Sequence, residues 1–366
     1  MASINNQQHS DKLVVLIVAE PGIITDHINE TLLSTKDFDV IGPYAHGVDG
    51  VSKLRKQHID AIIIDIGMSN ENPLISVNRM MRIDENAKII MTSTLSFSNI
   101  KKSMAGFEKG VADFILTPSD FTSTKTQHKF DQELLRMVQS LGRSRRNEGI
   151  REIDNAPITQ KPPAAPPILR PFENTKPDII AISSSTGGPQ ALFEVLTRLS
   201  PKFYVPILIT QHMPKTFTGV LAGNLSTRTG KEVSEAKDNE LVLPGHIYIA
   251  PGDYHMTVEK NGSEIRIKLN QDPPENYCRP SANPMLVSIA KVYGEKVCSV
   301  VLTGMGSDGK KGCKSIVSAG GQVIAQDFES SVVWGMPGAV SNASLCSKVL
   351  PLVEIAPVLN SLLNIK

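Results

Sequence analysis

The sequence predicts an α/β protein: a doubly wound parallel (βα)5 domain, a proline-rich tether, and a second doubly wound, mostly parallel α/β domain with an antiparallel hairpin excursion. Three observations carry this. Short apolar runs alternate with amphipathic segments from Lys12 to about Leu141, seven prolines fall between Pro157 and Pro177, and the strand-then-helix pattern resumes at Asp178. At 366 residues the chain is also long for a single core, so a division into 1–141, 142–176 and 177–366 is expected.

In the first domain the strands are expected at Leu13–Val18, Phe38–Ile41, Ala61–Ile64, Lys88–Met91 and Phe114–Leu116. Glu20, Asp65, Ser93 and Thr117-Pro118 follow the first, third, fourth and fifth of these, so one carboxyl edge gathers the polar groups. This resembles the flavodoxin-like receiver domain of response regulators. The resemblance implies that Asp65 matches the phosphoacceptor and Ser93 the hydroxyl switch, with a histidine kinase as phosphodonor and Mg²⁺ at Glu20 and Asp65. Two positions depart from the family. Ala19-Glu20 replaces an acidic pair and Thr117 replaces a lysine, which weakens the oxygen cage and removes a fixed positive charge. A poorly phosphorylated receiver is therefore expected.

A last receiver helix is expected from about Lys125 to Ser140, with Arg143, Arg145 and Arg146 forming a solvated edge of the linker. The proline-rich stretch that follows cannot form a helix or a sheet and reads as a semi-extended tether.

Asp178–Leu192, D-I-I-A-I-S-S-S-T-G-G-P-Q-A-L, is the stretch around which the second domain is arranged. Ile179–Ser183 reads as a buried strand, Gly187 and Gly188 allow a tight path, and Pro189 suits the first helical turn. A hydroxyl is thus presented where a strand ends and a helix begins, where the helix stabilises negative charge by roughly 0.3 to 1 kcal/mol. Three serines there also read as a helix cap, and the loop as an anion cradle. It is neither a G-x-x-x-x-G-K-[ST] nor a G-x-G-x-x-G motif.

Further parallel strands are expected at Pro206–Gln211, Val297–Thr303 and Gln322–Gln326. Gly245–Ala250, His255–Glu259 and Glu264–Leu269 alternate as antiparallel strands do, with Asn261-Gly262 as a hairpin turn. The strand at Pro206 breaks at Gln211-His212, and that at Val297 breaks into a glycine-rich turn exposing Asp308. Ser185, His212 and Asp308 therefore stand at three strand ends, and they are the residue types of a nucleophile, a base and an orienting acid. Singly, such a histidine is more often structural and an Asp before Gly a turn former. Together they point to acyl transfer, with backbone amides at Thr186-Gly187-Gly188 and Gly304-Met305-Gly306 available to an oxyanion.

S-S-T-G-G, T-Q-H-M-P, L-P-G-H-I-Y-I-A-P-G-D-Y-H-M, R-P-S, L-T-G-M-G-S-D-G and A-Q-D-F-E-S-S-V-V-W-G-M-P-G-A occur in that order. They resemble the successive motifs of the chemotaxis protein-glutamate methylesterase family, CheB, and the receiver-linker-esterase layout matches too. The resemblance implies a cytoplasmic serine hydrolase that removes methyl groups from glutamate γ-methyl esters of methyl-accepting chemoreceptors, and deamidates receptor glutamines by the same route. It assigns Ser185 as nucleophile, His212 as base, Asp308 as orienter, and Thr186 and Met305 to the oxyanion and substrate region, with no cofactor for catalysis. It also implies that the receiver restrains the esterase. Two departures stand out: Ser183-Ser184 where the family has Gly-Ala, and Gly338-Ala339 where Arg-Glu is common. The alternative is a non-catalytic chemosensory adaptor that keeps the fold.

Composition narrows the rest. Lys plus Arg number 38 against Asp plus Glu 37, which points away from nucleic acid or a membrane surface as the main partner. The opening M-A-S-I-N-N-Q-Q-H-S lacks the apolar core of a secretory signal, and no run approaches a membrane span, so a cytoplasmic protein is expected. Cys278, Cys298, Cys313 and Cys346 form no C-x-x-C pair, so neither a disulfide framework nor a zinc site is expected.

Overall fold

The computed structural model describes residues 12–118, 121, 123–150, 167–173 and 175–364, with side chains described except at 97 and 147–150. The polar amino-terminal stretch and much of the proline tether lie outside these residues. Two compact units divide between Gln160 and Lys161. Among the described residues no helix is long and apolar enough to cross a membrane.

The first unit runs β1 (Leu13–Val18), α1 (Ile23–Leu33), β2 (Phe38–Tyr44), α2 (Gly47–Leu54), β3 (Ala61–Asp65), α3 (Pro73–Ile83), β4 (Ile89–Ser93), α4 (Phe97–Phe107), β5 (Asp113–Leu116) and α5 (Thr124–Ile150). Its strands pair in parallel in the order β2-β1-β3-β4-β5. Helices cover both faces of such a sheet, so the central strands bury both sides and read as unbroken apolar runs; Ile62, Ile63 and Ile64 are at most 1% exposed. Local signals set the helix starts. Asn72 accepts from the Leu74 amide at 3.1 Å ahead of Pro73, and Ser96 accepts from the Asn99 amide at 3.1 Å.

Helix α5 corrects one expectation. It continues to Ile150 rather than stopping near Ser140, because two arginines read as solvated are anchored. Arg145 Nη2 lies 2.7 Å from Asp84 Oδ2, and Arg146 Nη2 lies 2.9 Å from Oδ2 of the fully buried Asp60. Burial alone would raise the Asp60 carboxyl, but hydrogen bonds from His58, Arg146 and the Val14 amide hold it below its ordinary value.

The second unit runs β6 (Ile179–Ser184), α6 (Gly188–Arg198), β7 (Ile207–Gln211), α7 (Phe217–Thr229), β8 (Val233–Glu235), β9 (Ile247–Ile249), β10 (His255–Asn261), β11 (Glu264–Asn270), α8 (Ala282–Tyr293), β12 (Val297–Val301), α9 (Lys310–Ser318), β13 (Gln322–Gln326), α10 (Met336–Ser341), β14 (Lys348–Leu350) and α11 (Leu352–Leu362). Seven of these strands form one sheet in the order β14-β13-β12-β6-β7-β9-β8, with every pairing parallel. The segment 245–250, expected to be antiparallel, instead joins that sheet as β9, parallel to both β7 and β8. Only β10 and β11 form the hairpin. The chain starts the sheet in its middle at β6 and builds outward on each side. The order therefore reverses beside β6, where open parallel sheets leave a crevice at their carboxyl ends.

Candidate active site

Register brings three strand ends together at that crevice. Val301 of β12 pairs with Ser183 of β6, and Ser184 pairs with Gln211 of β7. The β6–α6 turn is then closed by the Gly188 amide donating to the Ser185 carbonyl at 2.7 Å. Gly187 adopts φ 74°, and a Cβ there would stand 2.6 Å from Cβ of Val332, so a side chain meets both strain and a clash. Gln211 staples the turn: its Nε2 donates to the carbonyls of Ser185 at 3.0 Å and His212 at 3.1 Å, and its Oε1 accepts from Ser184 Oγ at 2.6 Å. The Ser184 hydroxyl is thus buried and committed, while Ser185 is the half-buried hydroxyl of the turn.

His212 and Asp308 meet directly, with Nε2 2.7 Å from Oδ2 and side-chain exposures of 11% and 1%. A buried carboxylate is costly unless its lone pairs are satisfied. Oδ1 accepts from Ser281 Oγ at 2.8 Å, the Gly309 amide at 2.8 Å and Asn276 Nδ2 at 3.1 Å, and Oδ2 also accepts from the Ala282 amide at 2.6 Å. The first amides of α8 therefore serve the acid. Burial would raise Asp308, but the His212 hydrogen bond and charge, with these donors, hold it at about 2. Burial would likewise lower His212, yet the facing Cys278 sulfur and Asp308 carboxylate outweigh it and raise the imidazole to about 10.

Ser185 stands beside this pair without yet joining it. The His212 amide donates to the Ser184 carbonyl at 3.0 Å, and Ser184 pairs with Gln211, so Ser185 and His212 are the next residues beyond the paired ends of β6 and β7. Neighbouring strands lie about 4.8 Å apart. Among the described residues, however, no hydrogen bond joins the Ser185 hydroxyl to the imidazole. The second ring nitrogen, Nδ1, faces Cys278 Sγ at 3.5 Å.

The glycine turn after β12 packs against the serine. The Ser185 amide donates to the Thr303 carbonyl at 3.0 Å, and a Cβ on Gly304 would stand 2.7 Å from Ser185 Cβ. The Gly304 carbonyl accepts from the Gly335 and Met336 amides, which fixes the turn, while the Met305 amide has no protein acceptor among the described residues. That amide is free for a developing oxyanion. Thr186 is fully buried, and its carbonyl accepts from Thr303 Oγ1 at 2.9 Å, a bond that ties this turn to the end of β12.

Sequence reasoning missed Cys278, Asn276 and the role of Gln211. Ser281 had a signal, since it ends the R-P-S motif, but of these only Gln211 lies at a strand end.

The receiver carboxylates form a separate cluster in the first unit. Asp65, at the end of β3, accepts from the Gly67 amide at 2.8 Å, and its carboxyl is pushed up chiefly by burial, with the Glu20 charge adding to it. Glu20 Oε1 already accepts from the amides of Ser69 at 2.7 Å and Asn70 at 2.9 Å, which hold it below the usual carboxylate range. Among the described residues no three His, Cys, Asp or Glu side chains group as metal ligands. One carboxylate committed to the 69–70 loop and one at Asp65 make a poor oxygen cage for Mg²⁺. Ser93 Oγ donates to the Thr94 carbonyl at 2.7 Å, and Thr117 Oγ1 is buried without a partner. A cation is nevertheless near: Lys102 of α4 donates to the Ile66 carbonyl at 3.2 Å and acts to lower the Asp65 pKa.

Comparison with known proteins adds to this geometry. The profile described as CheB methylesterase matches residues 180–359, and that described as response regulator receiver domain matches residues 15–127. A protein-glutamate methylesterase/protein-glutamine glutaminase of Rhodospirillum centenum is 42% identical, the match covering 95% of this chain and 93% of that protein. One of Azospirillum brasilense is 43% identical over 95% of this chain and 92% of its own. Among solved structures, the catalytic domain of Thermotoga maritima CheB methylesterase is 40% identical with a TM-score of 0.50, covering 51% of this chain and 98% of that one.

Proposed function

Because the chain belongs to the CheB methylesterase family, with a response-regulator receiver domain ahead of its esterase domain, we propose that Ser185, His212 and Asp308 form its catalytic triad. Its enzyme class is protein-glutamate methylesterase/protein-glutamine glutaminase. The substrates are glutamate γ-methyl esters, and glutamine amides, on the signalling domains of chemoreceptors. One observation carries the reading: a buried imidazole–carboxylate pair at 2.7 Å forms just beyond the end of β7, which pairs with the end of β6 immediately before Ser185.

In this reading Asp308 occupies Nε2, so Nδ1 is the nitrogen that takes the Ser185 proton as Oγ attacks the ester carbonyl. The carbonyl oxygen becomes an anion at the Met305 amide. His212 returns the proton to the departing methoxide, methanol leaves, and an acyl-serine remains. Water, deprotonated by the same nitrogen, releases the glutamate carboxyl. With a glutamine substrate the leaving group is ammonia. A donor to the oxyanion of this kind is worth about 3 kcal/mol of transition-state stabilisation.

Receiver domains as a family are consistent with Mg²⁺ binding when phosphorylated. For this chain the proposal is a weakly phosphorylated receiver, with a histidine kinase as the donor to Asp65, and a cytoplasmic location beside receptor signalling domains. Methanol release from methylated receptor membranes tests the activity, and a fluorophosphonate probe tests the nucleophile: wild type labels and Ser185→Ala does not. Absence of both signals in wild type would favour the adaptor reading.

A further inference from the structure

His212 has two ring nitrogens, and among the described residues neither is hydrogen-bonded to the Ser185 hydroxyl. Nε2 is held by Asp308 at 2.7 Å and Nδ1 faces the thiol of Cys278 at 3.5 Å. A sulfur at that distance satisfies the nitrogen as a weak hydrogen-bond partner, whether the proton sits on sulfur or on the ring. Cys278 is also unlike the other three cysteines. It is half-buried, whereas Cys298, Cys313 and Cys346 are buried in the core and their thiols are pushed up by burial. Its place is fixed by its neighbours: Asn276 donates to Asp308, Ser281 donates to Asp308, and Arg279 Nη2 binds Asp253 Oδ1 at 2.7 Å. The segment 276–281 thus grips the acid on both sides of the thiol.

We propose that Cys278 is a positioning residue of the esterase: its sulfur holds the Nδ1 face of His212 in the resting enzyme, so that the ring must leave the thiol before it takes the Ser185 proton. The inference rests on the catalytic assignment of Ser185 and His212. Thiol and hydroxyl compete for one nitrogen, and the competition depends on charge. Among the described residues the titratable groups acting on the ring are Cys278, from segment 276–281, and Asp308, from the turn after β12. The ends of β6 and β7 present the uncharged Ser184, Ser185 and Gln211, and Glu275 faces Lys311 at 3.5 Å. Sharing a proton with Cys278 keeps the imidazole charged and withholds the base. Removing the sulfur frees Nδ1 and takes away one of the two partners that favour the charged ring, and both changes act in the same direction.

The test is the rate of fluorophosphonate labelling of the full chain as a function of pH, for wild type, Cys278→Ala, Cys278→Ser and Ser185→Ala. In Cys278→Ala the acid limb is expected to move down by about one pH unit or more, with a rate near neutrality at least about fivefold above wild type. Cys278→Ser, which keeps a hydrogen-bonding atom but no ionisable thiol, falls between the two. An unmoved acid limb in Cys278→Ala, whatever the change in rate, overturns the proposal, since a packing role alters rate without altering the titration. Labelling that persists in Ser185→Ala removes the serine-hydrolase reading and this proposal with it.

Iodoacetamide alkylation of wild type gives a measurement that needs no variant to fold. The Cys278 sulfur attacks the iodine-bearing carbon, the C–S bond forms, iodide leaves, and the proton stays on His212. If the two share a proton, alkylation of Cys278 by intact mass proceeds well below the usual thiol range near about 8.5. Alkylation that rises only around that value contradicts the shared proton and overturns the proposal.

Discussion

His212 Nε2 lies 2.7 Å from Asp308 Oδ2, and this contact sets opposite pH demands on stability and on activity. Asp308 is held at about 2, so its contribution to stability is present above its ordinary value near 3.8 and is lost as pH falls toward 2. His212 is raised to about 10, so its contribution is fully present below 6.5 and is lost as pH rises from there through about 10. The two windows overlap between about 4 and about 6.5, where the pair stabilises the esterase unit most. As the proposed base, His212 works only when neutral, so turnover is instead expected to climb with pH through the alkaline range. Thermal unfolding midpoints and methanol release, each followed across pH, are expected to peak apart. Coincident maxima would refute the coupling.

Asp308→Asn keeps the shape of the orienting group but removes its charge and offers an amide to the imidazole. Turnover is expected to fall by about 10⁴, as it does when the wrong tautomer is fixed in serine hydrolases. Ser281→Ala is a milder test of the same cradle. It removes the hydroxyl that donates to Asp308 at 2.8 Å and leaves the Gly309 amide and Asn276 on that oxygen. Loss of a buried hydrogen bond to a charged group costs about 1.5–3 kcal/mol, read by denaturant unfolding. A variant as stable and as active as wild type would show that the hydroxyl is incidental.

The strand ends were legible in the sequence because parallel strands buried on both faces read as apolar runs that break into polar residues. Ser185, His212 and Asp308 were found that way, and so were Asp65 and Glu20. What pairs across long intervals was not legible. Arg145 and Arg146 read as solvated because Asp84 and Asp60 lie far upstream in the chain. The 245–250 segment read as antiparallel because Tyr248 counts as polar in an alternating pattern, yet Tyr248 is 1% exposed, its hydroxyl satisfied by the Leu241 carbonyl at 2.8 Å. Edge strands as short as Val233–Glu235 and Lys348–Leu350 carry too few residues to show a period. Cys278 follows no strand, so nothing local marks its approach to His212.

Gly304→Ala should separate the shape of the proposed oxyanion turn from the chemistry of the proposed triad. A Cβ at Gly304 would stand 2.6 Å from Met336 Sδ and 2.7 Å from Ser185 Cβ, both closer than atoms settle. The methionine end can shift, but the serine is held by its amide to Thr303 and its carbonyl to Gln211. The expected result is a fall of about 10² or more in kcat, comparable to losing an oxyanion donor, with far-UV circular dichroism unchanged. Met305→Ala alters only the side chain and leaves the backbone amide, so its turnover should stay within about threefold of wild type. The reverse ranking of the two variants would move the oxyanion contact away from this turn.

The receiver offers the sharpest contrast between what its residues retain and what they lack. Asp65 keeps a carboxylate at the end of β3, but Glu20 is tied to the amides of Ser69 and Asn70, and Thr117 stands buried at the end of β5 with an unpartnered hydroxyl. A phosphoryl group adds negative charge beside two carboxylates, so its stability depends on the cations within reach. Lys102, bonded to the carbonyl next to Asp65, is the ammonium that faces it from α4. With acetyl phosphate and Mg²⁺, intact mass is therefore expected to show a slow, sub-stoichiometric gain of one phosphoryl group on wild type and none on Asp65→Asn. Lys102→Ala should reduce the gain further, and Thr117→Lys should raise it by restoring charge at the other strand end. Rapid stoichiometric phosphorylation of wild type would show that one free carboxylate and a helix-borne lysine suffice, and indifference to Lys102→Ala would show that the ammonium plays no part.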